Sequence, residues 1–516
     1  MSVSSNRRVR WTPAAAALIA SMMPATSRAQ APSTITIADV VRYTIASSPR
    51  IRQSEYSRNA AQAAAVSAGA PFDPTIGTSL IGNQGRTLQT GDVVSPWLAT
   101  NGYQVKVEKL LRSGIALAPE ITLSQRRAAQ LAGSYAPRAA LGVTVPLLQD
   151  RGGSTSQAAE RASEENVSAA THAREQTTIE AVRDAIDAFL SYVIAFRRLD
   201  VQRASERRAM RQGEDMDRLV KGGERPPAEL LRVNADLGSK RVGRIAAEQD
   251  LMRARRRLAT AMGIAASEAR GIGEPIVTLP ADSIHVDSTL VDTLVDIALR
   301  GRSDLAADEA QRRSADVLLR AAHDGLLPRV DLHGNVVFDG LPSSTLGSSI
   351  RDMFGNPRSG LTSYFTLSVN LPLSNAAARG RSLALAAEVR SAELALSNLR
   401  REIESSVRLA VDVLALQAKA VAESRATVAL YRRTVANARK NYELGSGTIL
   451  DVLISEDGLT RAELDEVTGQ LSLLQAVVAL RFETGTLLEQ RPDGLTTRLD
   501  LSFTSRRPDP QTSGRQ

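Results

Sequence analysis

The side chains best suited to acid–base or metal chemistry are four histidines, His172, His285, His323 and His333. A metal site takes its ligands from close spacings of His, Cys and carboxylates, and none of the four stands in such a pattern. Asp331 and His333 come nearest, two residues apart in an alternating segment, which puts both on one face of a strand. That spacing alone makes neither a ligand. The chain has no cysteine, which removes disulfides, thiol catalysis, thiolate metal sites and a lipoprotein anchor. No nucleophile motif or phosphate-cradling glycine loop is present. The expectation is a protein that is not an enzyme and carries no cofactor or metal.

Charge carries more information. Arg7, Arg8 and Arg10 precede a short apolar run from Ala14 to Met23, and Ala29-Gln30-Ala31 follows with the small-x-small pattern of a signal-peptidase site. Residues 1–31 therefore read as an export signal. Its removal takes four arginines and no acid, so the formal charge falls from +8 to +4. Without a concentrated basic stripe, that charge gives no case for nucleic-acid binding. The later pairs Arg197 and Arg198, Arg207 and Arg208, Arg432 and Arg433 read as solvated faces of helices.

Those helices are long. Only 3% of the residues are aromatic, a composition suited to extended helical packing on Ala and Leu. Ser154 to about Leu219 and Asn375 to Leu444 run without proline, and at about 1.5 Å per residue each reaches on the order of 100 Å. Ile179, Val182, Ile186, Phe189, Val193 and Phe196 step by three and four. Ile403, Val407, Ala410, Leu414, Gln417 and Val421 do the same, as do Leu464, Val467, Leu471, Leu474 and Val478. These are coiled-coil steps. Lys221-Gly222-Gly223-Glu224-Arg225-Pro226-Pro227 and Gly445-Ser446-Gly447 break the two runs, so each half forms a helical hairpin.

Short strands accompany the helices. Leu141, Val143, Val145 and Leu147 alternate with polar or small residues, as do Val330, Leu332, Val336 and Phe338, and Phe365, Leu367, Val369 and Leu371. Alternation alone suits a soluble sandwich as well as a barrel. Strands this few, set between helices this long, cannot build a sandwich core. Nor can one chain close a membrane barrel, but several copies can. No later stretch is apolar for long enough to span a bilayer as a helix.

The plan is internally duplicated. Residues 39–80 align without a gap on 293–334, Pro49-Arg50-Ile51 falling on Ser303-Asp304-Leu305, Glu55 on Glu309 and Pro74 on Pro328. Val145-Pro146-Leu147 matches Leu371-Pro372-Leu373, and Gly222 aligns with Gly445. The offset falls from 254 to 226 between the strands, which leaves 28 extra residues in the first half. Tyr103, Val105 and Val107, a turn at Ser113-Gly114, then Ile115, Leu117, Ile121 and Leu123 mark an inserted hairpin over about 102–125. Alternation leaves open whether it joins the sheet or projects from it. The expected division is 32–264 as the first repeat, 265–290 as a linker, 291–487 as the second repeat and 488–516 as a structureless tail.

This order of elements, with Pro74 and Pro328 opening strands and the segment Tyr442-Glu443-Leu444-Gly445-Ser446-Gly447-Thr448-Ile449-Leu450-Asp451-Val452-Leu453, resembles the TolC-like outer membrane efflux protein family. The resemblance implies an α+β, mostly α, fold. In it, duplicated helical hairpins form a trimeric α-barrel and the strands join one transmembrane β-barrel. It implies a homotrimer in the outer membrane with a periplasmic extension, bathed by outer-membrane lipid. Such a trimer is the passive exit duct of a tripartite efflux or type I secretion system. Gly222, Gly223, Arg225, Gly445, Ser446 and Gly447 would then be tips that dock a periplasmic adaptor linked to an inner-membrane pump. Asp451 matches the first of two aspartates at the tunnel entrance of some members. The second position is Ile454 here, and an arginine of the preceding turn is Gly447. The competing reading is a non-conducting, structural coiled-coil protein of the envelope.

Overall fold

The computed structural model describes residues 34–85, 98–128, 131–265, 267–277, 290–355, 360–491 and 494–497. The export signal expected over 1–31 lies outside them. The first half opens with strand β1 (Thr34–Ile35), helix α1 (Ile37–Ser47) and helix α2 (Pro49–Ala68). Thr36 and Asp39 cap α1 reciprocally, each side chain bonding the other's backbone N–H, and Pro49 starts α2 where no N–H is needed. Strands β2 (Thr75–Gly85), β3 (Leu98–Leu110), β4 (Ala116–Ala128) and β5 (Leu131–Pro146) follow. Helices α3 (Ala158–Lys221) and α4 (Pro227–Ala261) then form the first hairpin. After β6 (Glu274–Pro275), the second half repeats the plan. It comprises α5 (Val291–Gly301), α6 (Ser303–Asp324), β7 (Arg329–Asp339), α7 (Leu346–Gly355), β8 (Gly360–Asn370), α8 (Ala376–Glu443) and α9 (Ile449–Glu483). With 64 and 68 residues, α3 and α8 are each about 100 Å long.

The starts of α1 and α5, α2 and α6, and β2 and β7 are each separated by the 254 positions of the sequence alignment. The glycine match shifts. Gly223, with φ 75°, is the left-handed counterpart of Gly445 at φ 70°, whereas Gly222 retains a right-handed backbone. The correct equivalence is therefore one residue beyond the one the sequence suggests, because the left-handed turn rather than the helix's last glycine sets the break.

β2, β3, β4, β5, β7 and β8 form one antiparallel sheet in that order. The inserted hairpin is β3 and β4, and it lies inside the sheet: β2 pairs with β3 and β5 with β4. The register gives the sheet two distinct faces. Leu80 lies opposite Tyr103, Tyr103 opposite Leu123, Leu141 opposite Val336 and Leu332 opposite Leu367, which makes one face apolar. Lys106 opposite Glu120, Thr144 opposite His333 and His333 opposite Thr366 make the other polar. Side chains on the apolar face stand exposed in the single chain, Leu80 at 79% and Phe365 at 73%.

The strand-to-helix corners turn on left-handed non-glycine residues, Asp150 and Asn375. Asp and Asn tolerate this conformation because their side chains bond locally. The Asp150 carboxylate accepts from the backbone N–H groups of Thr155 and Ser156 at 2.8 Å, and Asp324 at the end of α6 accepts from the Asp150 N–H at 2.7 Å.

The halves share their core at mid-length. Val182, Ile186, Phe189 and Tyr192 of α3 pack with Val40 and Val41 of α1, Leu258 of α4, and Leu471, Leu474 and Val478 of α9. The next faces of α9, Leu473, Val477 and Leu480, pack instead with Leu294 of α5 and Ile403, Val407 and Leu414 of α8. Helix α9 thus carries two apolar stripes and joins the repeats. The segment after 487, expected to lack structure, begins with a hairpin of β9 (Leu488–Arg491) and β10 (Gly494–Thr497). Leu487 is fully buried in the mid-length core, which holds the start of that hairpin in place. Among the described residues no helix is long and apolar enough to cross a membrane.

Candidate functional site: the paired helix tips

All four long helices end on a left-handed glycine: Gly223, Gly263, Gly445 and Gly485. In each, the following N–H reaches back five residues to a helical carbonyl, as from Glu224 to Leu219 and from Ser446 to Asn441, both at 2.9 Å. Two of these ends, Gly223 and Gly445, form the tips. Proline at the first position restarts the first hairpin at Pro227. In the second, Thr448 and Asp451 form a capping box at the start of α9. Gly447 lies so close to Asn441 that an added Cβ would stand 3.2 Å from the Asn441 Cβ.

The two tips lie side by side. The Arg225 guanidinium donates to the Tyr442 carbonyl at 3.0 Å and sits 4.3 Å from the centre of the Tyr442 ring. The Tyr442 hydroxyl donates to the Glu229 carboxylate at 2.7 Å. Burial, reinforced by the adjacent Glu229, pushes the Tyr442 hydroxyl up to about 12. Met216, Val233, Ile449 and Val452 make a small apolar cluster between the tips. Gly222, Gly223, Arg225, Gly445, Ser446 and Gly447 are thus brought to one end of the molecule, 217 residues of chain separating Arg225 from its Tyr442 partner.

Asp451 is exposed, and its carboxylate accepts from the Thr448 N–H at 2.9 Å and from Thr448 Oγ1 at 2.7 Å, both on Oδ2. These bonds hold the carboxylate below its ordinary range. Ile454 is 61% exposed on the same helix. Asp451 therefore has a local capping role besides any role toward a pore.

Above the tips lies a polar network that sequence spacing does not disclose. Glu456, 5% exposed, accepts from Arg208 at 3.0 Å and also pairs with Arg439. Arg208 reaches Glu463 at 3.3 Å as well. Arg208 was expected on a solvated face. It is instead turned inward, because the buried Glu456 carboxylate requires a cation. Lys240 of α4 pairs with Asp457 of α9, and burial raises the nearby Asp236 carboxyl although Lys240 opposes this. A cleft of about 430 Å³ between α3 and α8 borders the network, lined by Arg208, Arg211, Asp215, Arg439 and Tyr442. His333, the one histidine with suggestive spacing, lies between Thr144 and Ser368 at 3.0 and 2.9 Å. Among the described residues no cluster of His, Asp and Glu could hold a metal.

The described residues thus form an amphipathic sheet, in which β2 and β8 each have one neighbour among the described strands, continuous with two pairs of long helices. The chain belongs to the outer membrane efflux protein family, whose model matches residues 40–264 and 294–486. That family is one of channels, not of enzymes. No curated protein shows significant sequence similarity to the chain. Among solved structures, the fold is similar to the outer-membrane channel OprN at a TM-score of 0.63 and 16% identity, over 87% of this chain and 89% of that one. It is similar to the outer membrane protein VceC from Vibrio cholerae at 0.63 and 15%, covering 86% and 95%. The Campylobacter jejuni CmeC outer membrane channel matches at 0.61 and 13%, covering 87% and 85%. The comparisons give no support to a non-conducting structural coiled coil.

Proposed function

We propose that the chain is one subunit of a homotrimeric, passive exit duct in the outer membrane, docked at its tips to a periplasmic adaptor and through it to an inner-membrane pump. The observation that carries this reading is the pairing of the two ends. At one end, a sheet with a lipid-compatible face leaves β2 and β8 without a second neighbour among the described strands. At the other, about 100 Å away, both hairpin tips meet. Unpaired edges cannot persist in a bilayer, so copies must pair β8 with β2 around a ring. The helices then line a tunnel across the periplasm. Gly222, Gly223, Arg225, Gly445, Ser446 and Gly447 form the adaptor contact, and Asp451 and Ile454 line the entrance. In this reading the energy for export comes from the pump.

Two experiments test the reading. Purified protein in planar bilayers should conduct as a trimer, and a folded assembly that never conducts, even with its tips opened by substitution, would sink it. Cys introduced at Gly222 or Gly445 should crosslink to an adaptor in whole cells; the chain's lack of cysteine makes the labelling unambiguous.

A further inference from the structure

We propose that the inserted hairpin turns the membrane end of the duct into an eighteen-stranded barrel, wide enough for bulky hydrophilic cargo that the repeat's own strands would exclude. The inference rests on the trimeric duct proposed above. The repeat itself supplies two strands per half, β2 and β5 and then β7 and β8, which in three copies make a ring of twelve. Strands β3 and β4 raise each copy's share to six.

Three observations place the hairpin in the wall and not beside it. First, β2 and β5 do not pair with each other. Every residue of β2 faces one of β3, and β4 faces β5 along nearly its whole length. Second, the hairpin's alternation is in phase with the rest. Tyr103, Val105, Ile121 and Leu123 share the face of Leu141 and Val336, while Gln104, Lys106, Glu120 and Thr122 share that of Thr144 and His333. An appendage would have no reason to keep one face apolar across the whole sheet. Third, its turn is fastened to the helices below. Arg112 forms a two-pronged pair with Glu160 of α3 at 2.7 and 3.0 Å and lies 5.0 Å from the centre of the Phe72 ring. Gln157 donates to the Arg112 carbonyl and Lys109 to that of Phe72. The turn is therefore part of the rim where barrel meets helices.

Barrel diameter grows about linearly with strand number, so eighteen strands make a ring about 1.5 times as wide as twelve. At about 4.8 Å between strands and a tilt of about 40°, the backbone ring widens from about 24 to about 36 Å. The charges the hairpin adds to the polar face balance: Lys106 pairs with Glu108 and lies opposite Glu120, and Arg126, opposite Thr100, offsets the second acid. Width rather than net charge is what the insertion contributes.

The test compares the full chain with a variant lacking residues 98–128. The remaining 86–97 and 129–130 still join β2 to β5 with their antiparallel directions kept, as the second half joins β7 to β8. Thr366→Cys places a single thiol on the polar face of β8. Thiol-reactive polyethylene glycols of graded size, added from outside, should label the full chain up to a radius about 1.5 times that reached in the deletion variant. Electron cryomicroscopy of full-length trimers should count eighteen strands. Equal size limits, or a twelve-stranded ring with the hairpin outside it, overturn the inference and leave the duct standing. If the full chain forms no trimer, the duct reading falls first. Should the deletion variant not fold, the strand count of the full-length trimer decides alone.

Discussion

At the residue scale the tip region separates two roles that one aspartate can hold. Asp451 caps α9 through Oδ2, and by the proposal above its charge also faces the duct entrance. Asp451→Asn keeps an acceptor for Thr448 and removes the charge, whereas Asp451→Ala removes both. If the carboxylate lines the pore, both variants should lose block by added polycations, and only the alanine variant should also fray α9. Unchanged block in the asparagine variant would assign the residue to the cap alone. Its lowered ionisation range sets the sign with pH: the capping bond is intact above the ordinary carboxylate range and is lost as pH falls through the lower folded value. Tyr442 behaves in the opposite sense. Its hydroxyl is pushed up to about 12, so the stabilisation it gives is complete below its ordinary value of 10.0 and is lost as pH rises from there to about 12. Spectrophotometric titration should show Tyr442 ionising late, in a component that Tyr442→Phe removes. In Glu229→Gln that midpoint should fall back toward 10, and an unmoved midpoint would mean burial alone is responsible.

At the scale of elements, the left-handed glycine rather than the glycine-rich segment as a whole ends each helix. Gly223→Ala forces an L side chain into φ 75° and should cost about 1 kcal/mol or more, whereas Gly222→Ala, at φ −74°, should be neutral or slightly stabilising. Urea unfolding of the two variants checks the pair, and equal costs would contradict the assigned equivalence of Gly223 with Gly445. Glu456→Ala should cost more, about 3 kcal/mol, because it leaves Arg208 and Arg439 without their buried partner. Much of this level was legible in the residues. Steps of three and four marked the stripes that pack at Val182, Ile186, Val407 and Leu414, and Pro74 and Pro328 each stand one residue before a strand. The Glu456 network was not legible. Arg208 lies 248 positions from Glu456, and an arginine pair on a helix has the same pattern whether it faces water or a buried acid. The hairpin's place was hidden for a related reason: alternation defines the faces of a strand but not its neighbours.

For the whole molecule, the outer edges of β2 and β8, without a second neighbour among the described strands, have to be satisfied. In one chain β2 and β8 sit at opposite ends of the six-strand order, five gaps apart, or about 24 Å along a sheet with strands about 4.8 Å apart. A thiol on each cannot meet within a copy unless the sheet curls fully on itself, and a six-stranded membrane barrel is smaller than any known to close. Between copies they must meet if the ring forms. Both Ser79 of β2 and Thr366 of β8 lie on the polar face, so paired cysteines scanned along these two strands, starting from Ser79→Cys with Thr366→Cys, should at one register give oxidised species of two and three chains. The species should stop at three, since a closed ring leaves no free edge, whereas an open stack would extend to longer ladders. The helices couple this end of the molecule to the other. α9 is already committed on two faces, to α1, α3 and α4 on one and to α5 and α8 on the other, so each copy's two hairpins move as one wall segment. A ring closed at the strands is then closed at the tips as well. Crosslinks across β2 and β8 that reach three chains while tip crosslinks do not would show that this coupling fails.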